Sequence, residues 1–237
     1  MKKVISMYLF KSLLVAISTY SAIPVPQFEW NERNMKYAIC FFPAVGIFCG
    51  AALWGWFALA EVLAVSSFFF ATVATCLPLL ITGGIHMDGY MDTVDALASH
   101  QPRERKLEIL KDPTCGAFAV IYCGVYLLVY AGLMHELYTA NCVLVLCPTF
   151  VLSRSLSALC AVTMPNARKS GMLCAYTKNT EKRTAIISLL IVLLISGGVS
   201  ILLCPVIGAV TVLFAVVSVL LYHKLAMTQF GGVTGDT

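Results

Sequence analysis

Six apolar stretches, each near the length that crosses a lipid bilayer, constrain this chain more than any other feature. They lie near residues 37–60, 62–82, 116–134, 138–162, 185–203 and 205–223. A transmembrane helix needs about 20 such residues. Charged residues make up only 12% of the chain, against about 25% in a typical soluble domain, so they cannot cover a water-facing globule. The sequence predicts an all-α, polytopic helical bundle in the membrane with about six transmembrane helices.

The basic residues predict the orientation of this bundle. Every Lys and Arg except Arg154 lies before the first stretch, after the last, or in the two long connections near residues 100–115 and 165–184. If six spans alternate, all of these segments lie on one side of the bilayer, and the positive-inside rule makes that side cytoplasmic. We expect a multi-pass protein of a bacterial or archaeal cell (inner) membrane with its active face in the cytoplasm. The lipid bilayer is then a partner, and nucleic acid is not expected to be one.

No linker or internal repeat divides the sequence, so residues 1–237 are expected to form a single membrane-embedded catalytic domain. The first ten residues begin with positive charge and continue with an apolar run that Lys11 interrupts. Because no clear cleavage site follows, this run predicts a retained N-terminal interfacial helix rather than a signal peptide. Most of the ten cysteines lie inside apolar runs without a metal-binding spacing, which predicts that they act as small hydrophobic side chains rather than in disulfides or a zinc site.

Three aspartates, Asp88, Asp92 and Asp95, follow the second apolar stretch at spacings of four and three residues. On a helix they would share one face, within an arc of roughly 60°. Like charges at this spacing repel one another, so we expect a cation to balance them. Carboxylate oxygens without a thiol or a second histidine favour Mg²⁺, with Mn²⁺ as an alternative, over zinc. The competing interpretation is an ordinary solvated helix end that carries a few acids.

His86 stands two residues before the first of these aspartates. It could act as a catalytic base, support another residue of the site, or simply lie at the membrane interface, and the pattern leaves these open. Lys111 and Asp112 lie together at a turn before the third stretch. Arg154 is the basic residue inside a span, where charge is costly and is expected to meet an anion. It could instead form a structural ion pair with an aspartate.

A glycine-rich segment at residues 230–237 also contains an acid, Asp236. Its glycines Gly231, Gly232 and Gly235 would allow backbone amides to contact phosphate oxygens. A flexible tail is an equally good interpretation of this segment when it is considered alone.

Taken together, these segments resemble the adenosylcobinamide-GDP ribazoletransferase family, also called the cobalamin synthases. The similar segments are Ser21–Pro26, Gly83–Asp95, Leu107–Asp112, Ser153-Arg154, Ala167–Gly171 and Gly231–Thr237. Their common order along nearly the whole chain makes the resemblance specific. The family usually has arginine where this chain has Ala22 and Thr114, and it continues into a further apolar helix after the Gly-Asp-Thr segment, which this sequence does not contain.

The resemblance implies an enzyme that transfers the phosphoryl-cobinamide part of adenosylcobinamide-GDP to α-ribazole or α-ribazole 5′-phosphate. The products would be adenosylcobalamin or its 5′-phosphate, and GMP. Asp88, Asp92 and Asp95 would hold one or two Mg²⁺ ions, and Asp236 would complete the second metal site. A carboxylate of this group or His86 would accept the hydroxyl proton. Phosphate contacts are expected from the side chains of Lys111, Arg154 and Arg168. A homo-oligomer and contacts with other cobamide-assembly enzymes are also possible.

Two other functions share parts of this pattern. A membrane CDP-alcohol phosphotransferase or a prenyltransferase would also place aspartates at helical spacing around Mg²⁺, and the aspartate spacing alone does not exclude either. A transporter is less favoured, because the acids lie at a membrane edge rather than within a span.

Overall fold

The computed structural model describes residues 2–237, and for residues 2–6 and Ala140 it describes the backbone alone. The helices are α1 (Lys2–Tyr20), α2 (Glu32–Met35), α3 (Pro43–Val62), α4 (Ser67–Thr82), α5 (Ile85–Ala98), α6 (Arg103–Ile109), α7 (Ala117–Glu136), α8 (Ala140–Thr163), α9 (Met172–Lys178), α10 (Lys182–Leu203) and α11 (Pro205–Leu225). A 3₁₀ turn leads into α3, and a π-helical turn at Ala226–Phe230 follows α11. No β-strand occurs in residues 2–237, so the all-α prediction is confirmed.

The predicted spans coincide with helices. Five segments are long and apolar enough to cross a membrane, namely Ala38–Val62, Ala117–Glu136, Asn141–Thr163, Lys182–Leu203 and Pro205–Phe230. α4 and α5 meet the same criterion only as a pair, and the pair is bent by 93°. Within residues 2–237 the chain therefore has five spans, or six when the bent pair counts as one. Because α5 turns away from the direction of α4, we treat α4 as the sixth span and α5 as a helix lying across its end.

The bend between α4 and α5 depends on two glycines. Gly83 and Gly84 have φ angles of +63° and +78°, a left-handed conformation that other residues rarely adopt. Gly83 ends α4, and its amide donates to the carbonyls of the last turn. Two successive left-handed residues redirect the chain, and the acidic segment therefore begins a new helix.

α8 occupies the centre of the bundle and packs against both α3 and α10. Two glycines one turn apart, Gly46 and Gly50, bring α3 close to it. A Cβ added at Gly46 would lie 2.5 Å from the carbonyl oxygen of Phe150, and one added at Gly50 would lie 2.7 Å from that of Cys147. Small residues at this spacing allow membrane helices to approach closely.

The second half of α1 belongs to the protein core. Val15 and Ala16 are fully buried, and Val15 packs with residues of the Ala38–Phe41 turn, α8 and α10. Met1, where the predicted interfacial helix was expected to begin, lies outside the described residues. The observed helix is longer than the predicted ten-residue segment, and its end is held by protein contacts.

The outward faces of α7 and α11 are covered with exposed apolar side chains, including Leu128, Phe214 and Leu220. Apolar surface of this extent is expected where lipid rather than water surrounds a protein. All ten cysteines are free thiols in this structure, and two of them, Cys49 and Cys160, are buried.

Candidate active site

The three aspartates predicted to share a helix face do so on α5. This helix runs from Ile85 to Ala98, with Asp88 in its first turn. The Asp88 side chain is exposed, whereas Asp92 and Asp95 are half-buried. An acid in the first turn is favoured by the helix dipole. The helix therefore presents a line of carboxylates, the most exposed of which is nearest to the bend.

The C-terminal segment folds back onto this helix. The hydroxyl of Thr93 donates a hydrogen bond of 3.1 Å to the carbonyl oxygen of Asp236. One turn earlier, Gly89 packs directly against the same backbone, since a Cβ added there would lie 2.5 Å from that oxygen. The contact of Gly89 with the Asp236 backbone was not predicted from the sequence. The role of Thr93 was missed, because a threonine in a helix carries no distinctive signal.

Arg168 connects three segments around Asp236. Its Nη1 lies 3.0 Å from Oδ2 of Asp236, and its Nη2 donates to the carbonyl of Leu107 at 3.1 Å. The Arg168 side chain is only 17% exposed, so this ion pair is partly shielded from water. The sequence suggested Arg168 as a phosphate contact, whereas the structure uses its guanidinium to hold Asp236 beside α5.

Asp95 has a structural partner that the sequence did not reveal. Its carboxylate accepts backbone hydrogen bonds from Gly116 at 2.5 Å and from Ala119 at 2.9 Å, which caps the N-terminus of α7. A Cβ on Gly116 would lie 2.7 Å from both carboxylate oxygens, so a larger residue there would displace the Asp95 side chain from this position. A carboxylate has about four lone-pair positions, and two of those on Asp95 are already used.

The electrostatics of the site are dominated by uncompensated negative charge. Burial, followed by the charges of Asp88, Asp236 and Asp95, raises the pKa of Asp92 from 3.8 to about 6, although Arg168 opposes the shift. The acids are therefore close enough to influence one another. In residues 2–237 no three His, Cys, Asp or Glu side chains already form a metal-binding cluster. The excess negative charge and the all-oxygen donor set fit a hard divalent cation, with small movements of the side chains.

Two cavities meet beside His86. The outer cavity has a volume of about 380 Å³ and is bounded by Asp88, Gly89 and the segment 233–237. The inner cavity, of about 350 Å³, extends between α4, α7 and α8 and is lined by Arg154. Both are lined by the side chains of Phe42, His86, Tyr90 and Ser157.

His86 lines both cavities and is exposed in the structure, with neighbouring protein atoms around its ring. It lies against the aromatic rings of Tyr20 and Phe42, with centroid separations of 6.4 Å and 5.8 Å. Desolvation by these neighbours, together with the positive charge of Arg154, lowers the pKa of His86 to about 4. The ring is therefore neutral at pH 7, and one of its nitrogens can accept a hydrogen bond from a hydroxyl group.

The remaining predicted residues lie at the edges of this arrangement. Lys111 and Asp112 are exposed after α6, and the Asp112 carboxylate accepts hydrogen bonds from the amide and hydroxyl of Thr114, which lower its pKa. The amides of Gly231 and Gly232 both donate to the carbonyl of Ala226. They form a turn in this structure rather than a free phosphate cradle.

Gly235, by contrast, is exposed and lies at the wall of the outer cavity. The turn before it is held by α6, whose contribution the sequence did not predict. Arg103 packs its guanidinium against Gly231, and Lys106 donates a 2.5 Å hydrogen bond to Gln229.

The chain resembles known proteins along almost its whole length. The family model described as cobalamin-5-phosphate synthase matches residues 12–237. A protein named adenosylcobinamide-GDP ribazoletransferase from Lachnoclostridium phytofermentans is 43% identical over 225 residues, which cover 95% of this chain and 86% of the relative. A protein of the same name from Clostridium botulinum (strain Alaska E43 / Type E3) is 31% identical over 234 residues, or 96% of this chain and 90% of the relative. No solved structure matches.

Proposed function

Because the chain belongs to the cobalamin-5-phosphate synthase family, we propose that it joins adenosylcobinamide-GDP to α-ribazole or to α-ribazole 5′-phosphate. It is a transferase of cobalamin biosynthesis and a multi-pass membrane protein, and adenosylcobinamide-GDP is its donor substrate. The acceptor and the released GMP are the parts of the reaction proposed here. The family match favours this activity over a CDP-alcohol phosphotransferase, a prenyltransferase or a transporter.

The observation that best supports a site for phosphoryl transfer is the contact between Asp236 and α5. Asp236 and Thr93 are 143 residues apart in sequence, yet their groups are hydrogen-bonded. Arg168 then holds the Asp236 carboxylate at the edge of the aspartate line. A fourth acid placed beside three others adds repulsion that raises the pKa of Asp92. Charge repulsion that shifts a pKa in this way is typical of catalytic and binding sites.

We propose that Asp88, Asp92 and Asp236 hold Mg²⁺, or Mn²⁺, and that Asp95 contributes through a lone pair not used in capping α7. A metal held by these residues would supply positive charge against the diphosphate and the leaving oxygen of GMP. α5 positions its carboxylates about one turn apart, and Arg168 orients the carboxylate of Asp236. Gly235, Lys111 and Asp112 remain predicted contacts for the substrate.

The chain's own groups then align and deprotonate the acceptor. A ribose hydroxyl of the acceptor attacks the phosphorus on the cobinamide side of the diphosphate. A new P–O bond forms, and the bond from that phosphorus to the oxygen of GMP breaks. Neutral His86, at the junction of the two cavities, is placed to accept the hydroxyl proton. The outer cavity, between α5 and the C-terminal segment, positions the diphosphate for this attack.

We also propose that the protein lies in the inner membrane and that this site is on the cytoplasmic side. With α4 as a span, α5, α6, α9 and the C-terminal segment lie on the same side, and this side also carries the Lys and Arg residues of the connections. The contact of Asp236 with α5 supports an even number of crossings between them. Cysteine labelling of Cys115, which is exposed in the connection before α7, in sealed inverted vesicles tests the orientation. Labelling from the outside of right-side-out cells only would contradict it.

The activity is tested with detergent-purified protein, adenosylcobinamide-GDP and α-ribazole, with and without Mg²⁺. We expect adenosylcobalamin and GMP to form in equal amounts, and chelation of Mg²⁺ to abolish both. Asp92→Ala should lower turnover by about a hundredfold, the scale expected when a transition-state charge contact is lost, while the variant still inserts. Release of CMP from a CDP-alcohol in place of GMP would refute the proposed reaction. Normal turnover of Asp92→Ala would refute the metal assignment alone.

A further inference from the structure

Arg154 is a charged residue in the middle of α8 without an acidic partner. Among the residues whose side chains the structure describes, two ion pairs occur, and they join Arg105 to Glu108 and Arg168 to Asp236. Arg154 has only a distant contact of 4.0 Å with the Cys49 sulfur and a ring of Phe150 5.5 Å away. Its buried Nε atom has no hydrogen-bond partner. The alternative that this arginine forms an ion pair with an aspartate is therefore wrong for this structure.

A cation buried among membrane helices is costly unless it meets an anion, and Arg154 lines the inner cavity. The walls of this cavity carry aromatic rings and hydroxyl groups, among them Tyr126, Tyr130, Phe150 and Ser153, and its lining residues include no carboxylate. Its volume of about 350 Å³ lies in the range of small-molecule sites. The cavity is therefore suited to a small aromatic ligand that bears a negative charge.

We propose that the inner cavity is the acceptor subsite, where the aromatic base of the acceptor nucleotide packs between the rings and Arg154 binds its 5′-phosphate. This inference rests on the proposed function. A corrin ring is far larger than the cavity and stays outside it. A guanine base presents N–H donors that need acidic or carbonyl acceptors. The base of α-ribazole, an alkylated benzimidazole, instead has apolar edges that these rings can cover.

The geometry also aligns the reacting ends. The inner and outer cavities adjoin at His86 and Ser157, which line both. With the phosphate held at Arg154, the ribose points toward this junction, and its hydroxyl faces His86 on one side and the aspartate line on the other. Arg154 thus selects a phosphorylated acceptor and sets its depth in the bundle.

The test compares Arg154→Gln with the matched control Arg105→Gln, which removes an exposed arginine paired only with Glu108. KM is measured for α-ribazole 5′-phosphate, for α-ribazole and for adenosylcobinamide-GDP. Because a charged hydrogen bond contributes about 1.5–3 kcal/mol, we expect Arg154→Gln to raise KM for α-ribazole 5′-phosphate by roughly ten- to hundredfold. Arg154→Gln should change KM for α-ribazole and for the donor only a little. Arg105→Gln should leave all three KM values unchanged. Titration of purified protein with α-ribazole 5′-phosphate should show the same loss of affinity.

An equal rise for both acceptors, or a selective rise for adenosylcobinamide-GDP or in the inhibition constant of GMP, would overturn the assignment. If thermal unfolding shows that Arg154→Gln does not fold, Ser153→Met provides a second test, since Ser153 lines the inner cavity but not the outer one, and the longer side chain narrows the inner cavity without removing charge. It should raise KM for both acceptors and leave that of the donor unchanged, and an unchanged acceptor KM would overturn the proposal. Failure of the wild-type protein to use either acceptor would instead refute the proposed function.

Discussion

Replacing Gly89 with alanine should displace Asp236 from the acidic face of α5. The added Cβ would lie 2.5 Å from the Asp236 carbonyl oxygen and 3.1 Å from its Cα and carbonyl carbon. Real Cβ atoms essentially never approach closer than 3.0 Å, so the two backbones must separate by about 0.5 Å or more. A Cβ on a helix cannot rotate away, and the atom it meets is main chain. The movement therefore falls on the segment that holds the fourth carboxylate.

A shift of this size is expected to act on catalysis more than on folding. A misplacement of about 1 Å at a reacting centre can lower the rate a hundredfold, so we expect kcat to fall by roughly ten- to hundredfold. Overpacking costs about 1–3 kcal/mol, and part of this is offset by the gain of about 0.5–1 kcal/mol when alanine replaces a helical glycine. Turnover of purified Gly89→Ala and its thermal unfolding would be measured side by side.

Gly124→Ala is the matched control, because it is also a helical glycine but a Cβ there meets nothing within 4 Å. It should keep wild-type turnover and be equally or more stable. The reasoning is refuted if Gly89→Ala turns over within twofold of wild type while remaining folded. In that case the position of Asp236 against α5 has no bearing on the reaction.

Three further predictions concern charge and packing. In metal-free protein the raised pKa of Asp92 stabilises the fold below about pH 4, and this contribution is lost as the pH rises through about 6. Asp92→Asn should remove that slope in the unfolding free energy, and an unchanged slope would contradict the assignment. Arg168→Gln and Asp236→Asn should each lower turnover about tenfold, and the double variant should be little worse than either, because the two side chains form one ion pair; additive losses would show that they act separately. Gly46→Ala should lower the melting temperature by forcing α3 and α8 apart, at a cost of about 1–3 kcal/mol, whereas a rise would show that the helices can separate freely.

The spans and the aspartate face were predictable because each depends on a local pattern. Apolar length predicts a membrane helix from the residues of that helix alone, and the i, i+4, i+7 spacing of Asp88, Asp92 and Asp95 needs only helical geometry. The structure accordingly has a helix at each of the six apolar stretches, and the three aspartates share one face of α5. The two glycines before α5 were visible in the sequence, but their pattern does not specify a bend of 93°.

The partners of the site residues were not predictable, because they depend on how distant segments meet. Asp95 caps α7 from 21 and 24 residues away, and Arg168 pairs with Asp236 across 68 residues. Nothing local distinguishes an aspartate that caps a helix from one that binds a metal. For the same reason Arg154 was recognised as a costly charge, while the cavity beside it became apparent only in the structure.

Because Asp236 must contact α5, the site can assemble only late in the synthesis and folding of the chain. During synthesis, α5 emerges long before its partner, and α7, α8, α10 and α11 must all be inserted before the two can touch. Until then the three aspartates of α5 lack both Asp236 and Arg168, which holds the Asp236 carboxylate in place. Activity therefore requires that all of these helices have been inserted. Variants that fail to insert one of them should be inactive even when α5 itself is correctly folded.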